Sequence, residues 1–93
     1  MILSFGSKET AKIWEGIRSK KLPDEIQPIA RRKLRMLNSS NSLNDLILPP
    51  SNKLEKLQGQ MKDYFSIRIN DRWRLIFRWE NGHSFDVEIV DYH

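Results

Sequence analysis

The chain has 93 residues, 16 Lys plus Arg against 12 Asp plus Glu, and a formal charge of +4, a size that predicts one domain over residues 1–93. Zero cysteines exclude a disulfide scaffold, a Cys-ligated zinc or iron–sulfur site and a thiol nucleophile. No stretch approaches the roughly 20 apolar residues that span a bilayer, and Met1 to Phe5 lacks both a basic leader and a small-residue cleavage site, so the expectation is a soluble, cytoplasmic protein with no membrane partner.

In chain order, the apolar run Met1 to Phe5, closed by Gly6, predicts a strand, and Ser7 suits the N-cap of a first helix over Lys8 to Lys20 with Ala11, Trp14 and Ile17 on one face. Pro23 and Asp24 open a second helix whose apolar positions Ile26, Ile29, Ala30, Leu34 and Leu37 keep helical spacing as far as Asn38. Segments 38–42 and 49–52 read as loops, with a short helical turn at Leu43 to Leu46. From residue 53 the period changes to two. Phe65, Ile67 and Ile69, then Trp73, Leu75, Phe77 and Trp79, then Phe85, Val87 and Ile89 mark three half-buried antiparallel strands, and Lys53 to Leu57 a fourth. The expected fold class is α+β: an N-terminal strand, then two helices packed on one face of a mainly antiparallel, four- to five-stranded twisted sheet.

Turn geometry then decides what faces what. Two-residue loops at Asn70-Asp71 and Asn81-Gly82 would pair Ile69 with Arg72 and Ile76 with Val87, mixing core side chains with arginines, so both are rejected. A three-residue loop at 70–72 pairs Ile69 with Trp73, Ile67 with Leu75 and Arg68 with Arg74. Two arginines directly opposite one another are unfavourable by up to roughly 1 kcal/mol, which a bound anion would offset through bidentate hydrogen bonds. Splaying into water, or neutralisation by Asp86 or Glu88 on the next strand, would serve as well. The second hairpin needs an odd loop too: residues 81–83 would place Arg72 opposite Tyr92 and Arg74 opposite Val90, and residues 80–82 would place Arg74 opposite Glu88.

Charge is concentrated away from the end of the chain. Residues 1–40 carry nine basic and four acidic side chains and residues 53–78 seven and three, whereas 80–93 hold four acids and no Lys or Arg. A phosphate-bearing partner would therefore meet the middle of the chain, where Lys53, Lys56, Arg72 and Arg78 are the expected RNA contacts around Arg68 and Arg74. His83 reads as a loop histidine. The terminus Asp91-Tyr92-His93 combines a carboxylate, a phenol and a group titrating near neutrality. Asp86, Glu88 and Asp91 lie near one another, but arginines across from them favour salt links over a cation, so neither a metal nor another cofactor is expected. No nucleophile elbow or glycine-rich phosphate loop is visible. Arginines with a histidine and a tyrosine suit transesterification of RNA, in which the 2′-hydroxyl attacks the neighbouring phosphodiester. Such a site deprotonates that oxygen, stabilises phosphoryl charge and protonates the leaving 5′-oxygen.

The segment Pro49-Pro50-Ser51-Asn52-Lys53-Leu54-Glu55, the block from Tyr64 to Trp79 containing S-I-R-I-N-D-x-W-R-x-x-F-R-W, and the ending Val87-Glu88-Ile89-Val90-Asp91-Tyr92-His93 together resemble the HigB toxins of the RelE superfamily, over nearly the whole chain. The resemblance implies a ribosome-dependent mRNA endonuclease acting in the ribosomal A site. It also implies a HigA-type antitoxin with a helix-turn-helix domain, so that operator DNA is met only through the antitoxin complex. Arg68 and Arg74 match that family's phosphate-contacting arginines, and Asp91, Tyr92 and His93 its catalytic terminus. One departure stands out: where many relatives place a histidine or lysine before the glycine matching Gly59, this chain has Glu55 and Gln58, with Lys53 and Lys56 flanking. Two other functions remain open, a non-catalytic binder that blocks the ribosome or an RNA, and a DNA-binding regulator using the basic run Arg31 to Arg35.

Overall fold

A computed structural model describes residues 1–91. The Ser7 hydroxyl accepts from the Thr10 backbone N–H at 3.1 Å and caps helix α1, Lys8–Trp14. The helix stops well short of the expected Lys20. Gly16 takes φ +83, and the N–H groups of Gly16 and Ile17 close back on the Ile13 and Lys12 carbonyls, a left-handed C-terminal cap that glycine adopts without strain. The buried face is consequently Thr10 and Ile13, and Ile17 is exposed. A single 3₁₀ turn, Asp24–Ile26, leads into α2, Gln27–Ser39. Pro28 lies in the first turn of α2, where its missing N–H has no intrahelical role. Further 3₁₀ turns at Leu43–Leu46 and Pro50–Asn52 carry the chain to the sheet.

The sheet has four antiparallel strands in the order β1 (Glu55–Lys56), β2 (Tyr64–Arg68), β3 (Trp73–Glu80) and β4 (His83–Asp91). β1 is shorter than the expected Lys53 to Leu57 because Lys53, at φ +45, is still leaving the preceding turn. Ile13, Ile26, Ala30, Leu34 and Leu37 pack with Ile67, Leu75, Phe77, Val87 and Ile89 in one apolar cluster. Both helices therefore cover the face carrying Ile67 and Leu75, as the strand alternation requires.

The first hairpin has the expected register, with Ile67 opposite Leu75 and Arg68 opposite Arg74, and the Ile69 N–H donates to the Trp73 carbonyl across the loop at 2.9 Å. The second hairpin differs from both odd-loop readings. Glu80 pairs with His83 across Asn81-Gly82, both at positive φ, which is the rejected two-residue turn. The conflict that argued against this turn is removed by a β-bulge: the ladder shifts between Arg78↔Phe85 and Ile76↔Glu88, with Asp86 at φ +52 as the extra residue. Phe85 is thereby moved from the expected inner face to the side of Arg78, whose guanidinium lies 5.5 Å from its ring centroid, and Ser84 is buried instead. Beyond the bulge, Arg74 faces Val90.

The bulge also explains why the N-terminal strand is incomplete. Residues 1–6 run parallel to the outer edge of β4, with bridges Ile2↔Ser84 and Phe5↔Val87 only. Between those bridges the Asp86 N–H donates to the Ser4 hydroxyl at 2.8 Å rather than to a backbone carbonyl, so no continuous ladder forms.

Candidate functional site

Residues paired across an antiparallel ladder share a face, so the register defines the surface opposite the helices. Arg68, Arg74 and Val90 form one row across it, Glu55, Ser66, Ile76 and Glu88 the next, and Tyr64, Arg78 and Phe85 a third. This is the candidate site. Arg68 and Arg74 are together, as their spacing requires, and Arg78 lies on the same face.

Each arginine already has an acid. Arg68 Nη2 pairs with Asp71 of its own loop, and Arg74 Nη2 donates to Glu55 Oε1 at 3.4 Å. Arg78 Nε donates to Asp86 Oδ2 at 2.8 Å. The like-charge pair is thus tolerated because carboxylates approach from opposite sides, Asp71 from the β2–β3 loop and Glu55 from the edge strand, and not through Asp86 or Glu88. Hydrogen bonding to Asp86 raises the pKa of Arg78 above its ordinary value. A phosphate entering the site would displace these carboxylates from the guanidinium groups, and Asp71, which is almost fully exposed, is free to move aside.

Arg74 is not the free, solvated charge that strand alternation suggests. Its side chain is 13% exposed and lies across β2, with Nη1 donating to Ser66 Oγ at 3.4 Å and to the Lys53 carbonyl at 3.3 Å. The guanidinium is therefore anchored to β2 and to the end of the turn that precedes β1, which restricts its orientation. Glu88 has a different environment: half-buried, with no side-chain hydrogen bond among the described residues, it has its carboxyl pKa pushed up by burial. Gly6 packs closely against this strand: a Cβ there would fall 3.1 Å from the Asp86 carbonyl oxygen and would push the Glu88 carboxylate aside.

The remaining expected contacts divide. Arg72 turns to the end of β4, where Nε lies 3.0 Å from both carboxylate oxygens of Asp91 and Nη2 donates to Oδ2 at 2.8 Å. That pairing raises the Arg72 pKa and ties the β2–β3 loop to the start of the chain's terminus. Asp91 itself sits opposite Trp73, outside the Arg68–Arg74 row. Lys53 supplies a backbone carbonyl to the site. Lys56 pairs with Phe65 and places its Nζ 5.6 Å from that ring, so β1 turns it away from the arginines. Tyr92 and His93 lie outside the described residues. Ser66 is given no role in the sequence reading, and Glu55 enters it only as a departure from the family pattern. Pairing of β1 with β2 brings both beside Arg74, and their signal was the alternation of Glu55 with Lys56.

Comparisons with known proteins follow the same outline. Residues 3–93 match the family model described as a RelE-like toxin of the type II toxin–antitoxin system HigB. Toxin HigB-1 of Vibrio cholerae is 37% identical over 83 residues, covering 88% of this chain and 87% of that protein. Endoribonuclease HigB of Proteus vulgaris is 29% identical over 94 residues, the full length of both. Among solved structures, Escherichia coli YafQ superimposes with a TM-score of 0.66 at 18% identity, covering 98% of this chain and 91% of YafQ. The YoeB–YefM complex from Staphylococcus aureus gives 0.62 at 18% identity, over 100% of this chain and 98% of the matched one. At such low identity these two structures speak for the fold alone.

Proposed function

We propose a function from one firm premise: the chain belongs to the HigB-like family of RelE-like toxins of type II toxin–antitoxin systems. It is an endoribonuclease that cleaves mRNA in the ribosomal A site by transesterification at the 2′-hydroxyl, and a HigA-type antitoxin neutralises it and carries the operator binding. The observation that supports this reading best is the Arg68–Arg74 pair on the helix-free face, with Arg74 braced by Ser66 and Glu55. Endoribonuclease is the name carried by the full-length relative from Proteus vulgaris.

In this mechanism Arg74 and Arg68 hold the scissile phosphate and stabilise the charge that accumulates on its equatorial oxygens. Glu55, paired with Arg74, supplies the proton acceptor for the 2′-hydroxyl once phosphate displaces its carboxylate from the guanidinium. His93 acts as general acid or base and Tyr92 orients the RNA. Arg72 restrains Asp91, the residue next to them in the chain. DNA lacks the internal nucleophile, so the site selects RNA. Few groups on this face read base edges, so the ribosome must present the scissile bond, and naked RNA is expected to be a poor substrate.

Sequencing of transcript 5′ ends after brief induction tests the reading, together with cleavage on mRNA-programmed ribosomes. New 5′ ends within translated codons are expected, and they should vanish with Arg74→Ala or His93→Gln. Stalled translation with intact mRNA would replace the enzyme by a non-catalytic binder of the ribosome.

A further inference from the structure

Beside Arg68, where α2, the Pro50–Asn52 turn and the β2–β3 loop converge, lies a cleft of about 260 Å³ lined by Ile29, Arg32, Lys33, Ser51, Arg68, Ile69 and Asn70. Its charged lining residues among those described are all basic. Arg32 and Arg68 bring guanidinium groups, Lys33 an ammonium and Ser51 a hydroxyl. Asn70 has its Oδ1 occupied by the backbone N–H groups of Arg72 and Trp73 at 2.9 and 2.8 Å, which leaves its NH₂. Among the described residues no carboxylate lines the cleft, and Asp71, paired with Arg68, is the nearest acid in sequence.

Lys33 is the telling residue. It is only 8% exposed, and its ammonium donates to the Asn52 side-chain oxygen with no acid beside it among the described residues. Asn52 is itself fully buried, its NH₂ held by the Leu46 carbonyl at 3.1 Å. A buried cation without a counter-charge is costly, and burial together with the neighbouring Arg32 charge lowers the Lys33 pKa. The sequence places this lysine in the basic run Arg31 to Arg35, yet the fold turns it inward.

We infer that the cleft takes a phosphate of the RNA backbone, one flanking the scissile phosphodiester, held by Lys33 and Arg32 next to Arg68. This rests on the reading of the arginine face as RNA-binding and extends the RNA path from the sheet to α2. The size fits a phosphate with its flanking sugar atoms, since whole small-molecule ligands usually occupy roughly 300–1,000 Å³. A phosphate there meets the donors left unused and gives the Lys33 ammonium its missing counter-charge.

Fluorescence anisotropy with a non-cleavable 2′-O-methyl oligoribonucleotide tests this on the full chain. Arg32→Gln and Lys33→Met should each weaken binding three- to tenfold and lower the slope of log affinity against log salt by about 0.7, the change expected for one lost phosphate contact on a single strand. Arg35→Gln, removing an exposed cation of the same helix outside the cleft, should change both much less. Arg32 is exposed, so its variant reports even if Lys33→Met fails to fold. Equal effects from Arg32→Gln and Arg35→Gln would overturn the site in favour of diffuse charge. Weakened binding of inorganic phosphate alone, with oligoribonucleotide affinity unchanged, would overturn it in favour of a free-anion site. Displacement of the oligoribonucleotide by an acidic peptide, lost in both cleft variants, would reassign the cleft to a protein partner. If Arg74→Ala abolishes mRNA cleavage while the cleft variants bind as the parent does, the subsite alone fails. If Arg74→Ala cleaves normally, the RNA reading falls and the subsite with it.

Discussion

Between β2 and β3 the chain turns with three residues and needs no correction, whereas between β3 and β4 it turns with two and then accommodates an extra residue at Asp86. Both solutions keep Leu75 and Phe77 in the core and Arg74 on the opposite face. They differ in what they make of the acids. The first hairpin leaves Asp71 in the loop, exposed and movable beside Arg68. The bulge turns Asp86 onto Arg78 and Ser4, knitting the N-terminal segment to the sheet. The first hairpin thus carries a cation whose acid is an exposed loop residue, and the second a cation whose acid also holds the N-terminal segment.

That contrast predicts unequal consequences for similar mutations. Arg74→Ala should abolish growth inhibition at matched expression, with a stability loss of only about 1 kcal/mol from the lost hydrogen bonds and uncovered Ser66. Arg74→Lys should rescue partly, because the fork is lost. Arg78→Ala should keep most of its toxicity while losing comparable stability in urea denaturation. Equal toxicity loss at the two positions would erase the distinction.

Removing Tyr92 and His93, or fusing a tag after His93, should cost far more activity than stability, since the pairs from Trp73↔Asp91 to Glu80↔His83 are made by other residues. In cleavage on programmed ribosomes across pH, His93→Gln should flatten the profile near neutrality, and a variant retaining the parent's rate and profile would remove histidine from the mechanism.

Asp86→Val should destabilise by about 1–2 kcal/mol, because a β-branched residue resists positive φ and the side-chain hydrogen bond from Arg78 is lost. Asp86→Gly should cost less than the valine change. Deleting Asp86 should still permit folding: the ladders on either side of the bulge differ by one residue, so deletion brings them into one register. A deletion variant unfolded by circular dichroism would show that the bulge is required for more than register.

The smallest expected effect is at Glu88. Its pKa is raised by burial, so the folded state holds the proton more tightly than the unfolded chain, and the group's contribution to stability falls as pH rises from the ordinary value of 4.5 through the raised one. Glu88→Gln should therefore be more stable than the parent by about 0.5 kcal/mol at neutral pH and indistinguishable from it below pH 4.5. Thermal melts at two pH values decide it.

Much of the fold was legible along the chain. Alternation of Ile67, Leu75 and Phe77 with the arginines, together with the three-residue loop, was enough to place Arg68 opposite Arg74. Helix α1 was read too long because Ile17 continues the spacing of Ala11 and Trp14, while the stop comes from one left-handed glycine. Phe85 was assigned to the wrong face because a bulge breaks the period without changing composition. The site was legible in its arginines and opaque in its acids. Periodicity reports which face a residue takes, but not which side chain of another strand or loop reaches it.

What the sequence by itself determined, then, is the basic middle of the chain, the register of its first hairpin and the motif blocks that mark its family, all properties of neighbours or of fixed spacing. Tertiary structure decided that Glu55 braces Arg74, that Asp71 and Asp86 neutralise different arginines, and that Lys33 is buried beside Arg68. Those outcomes depend on segments far apart in the chain converging in space, and a buried charge is defined by everything packed around it.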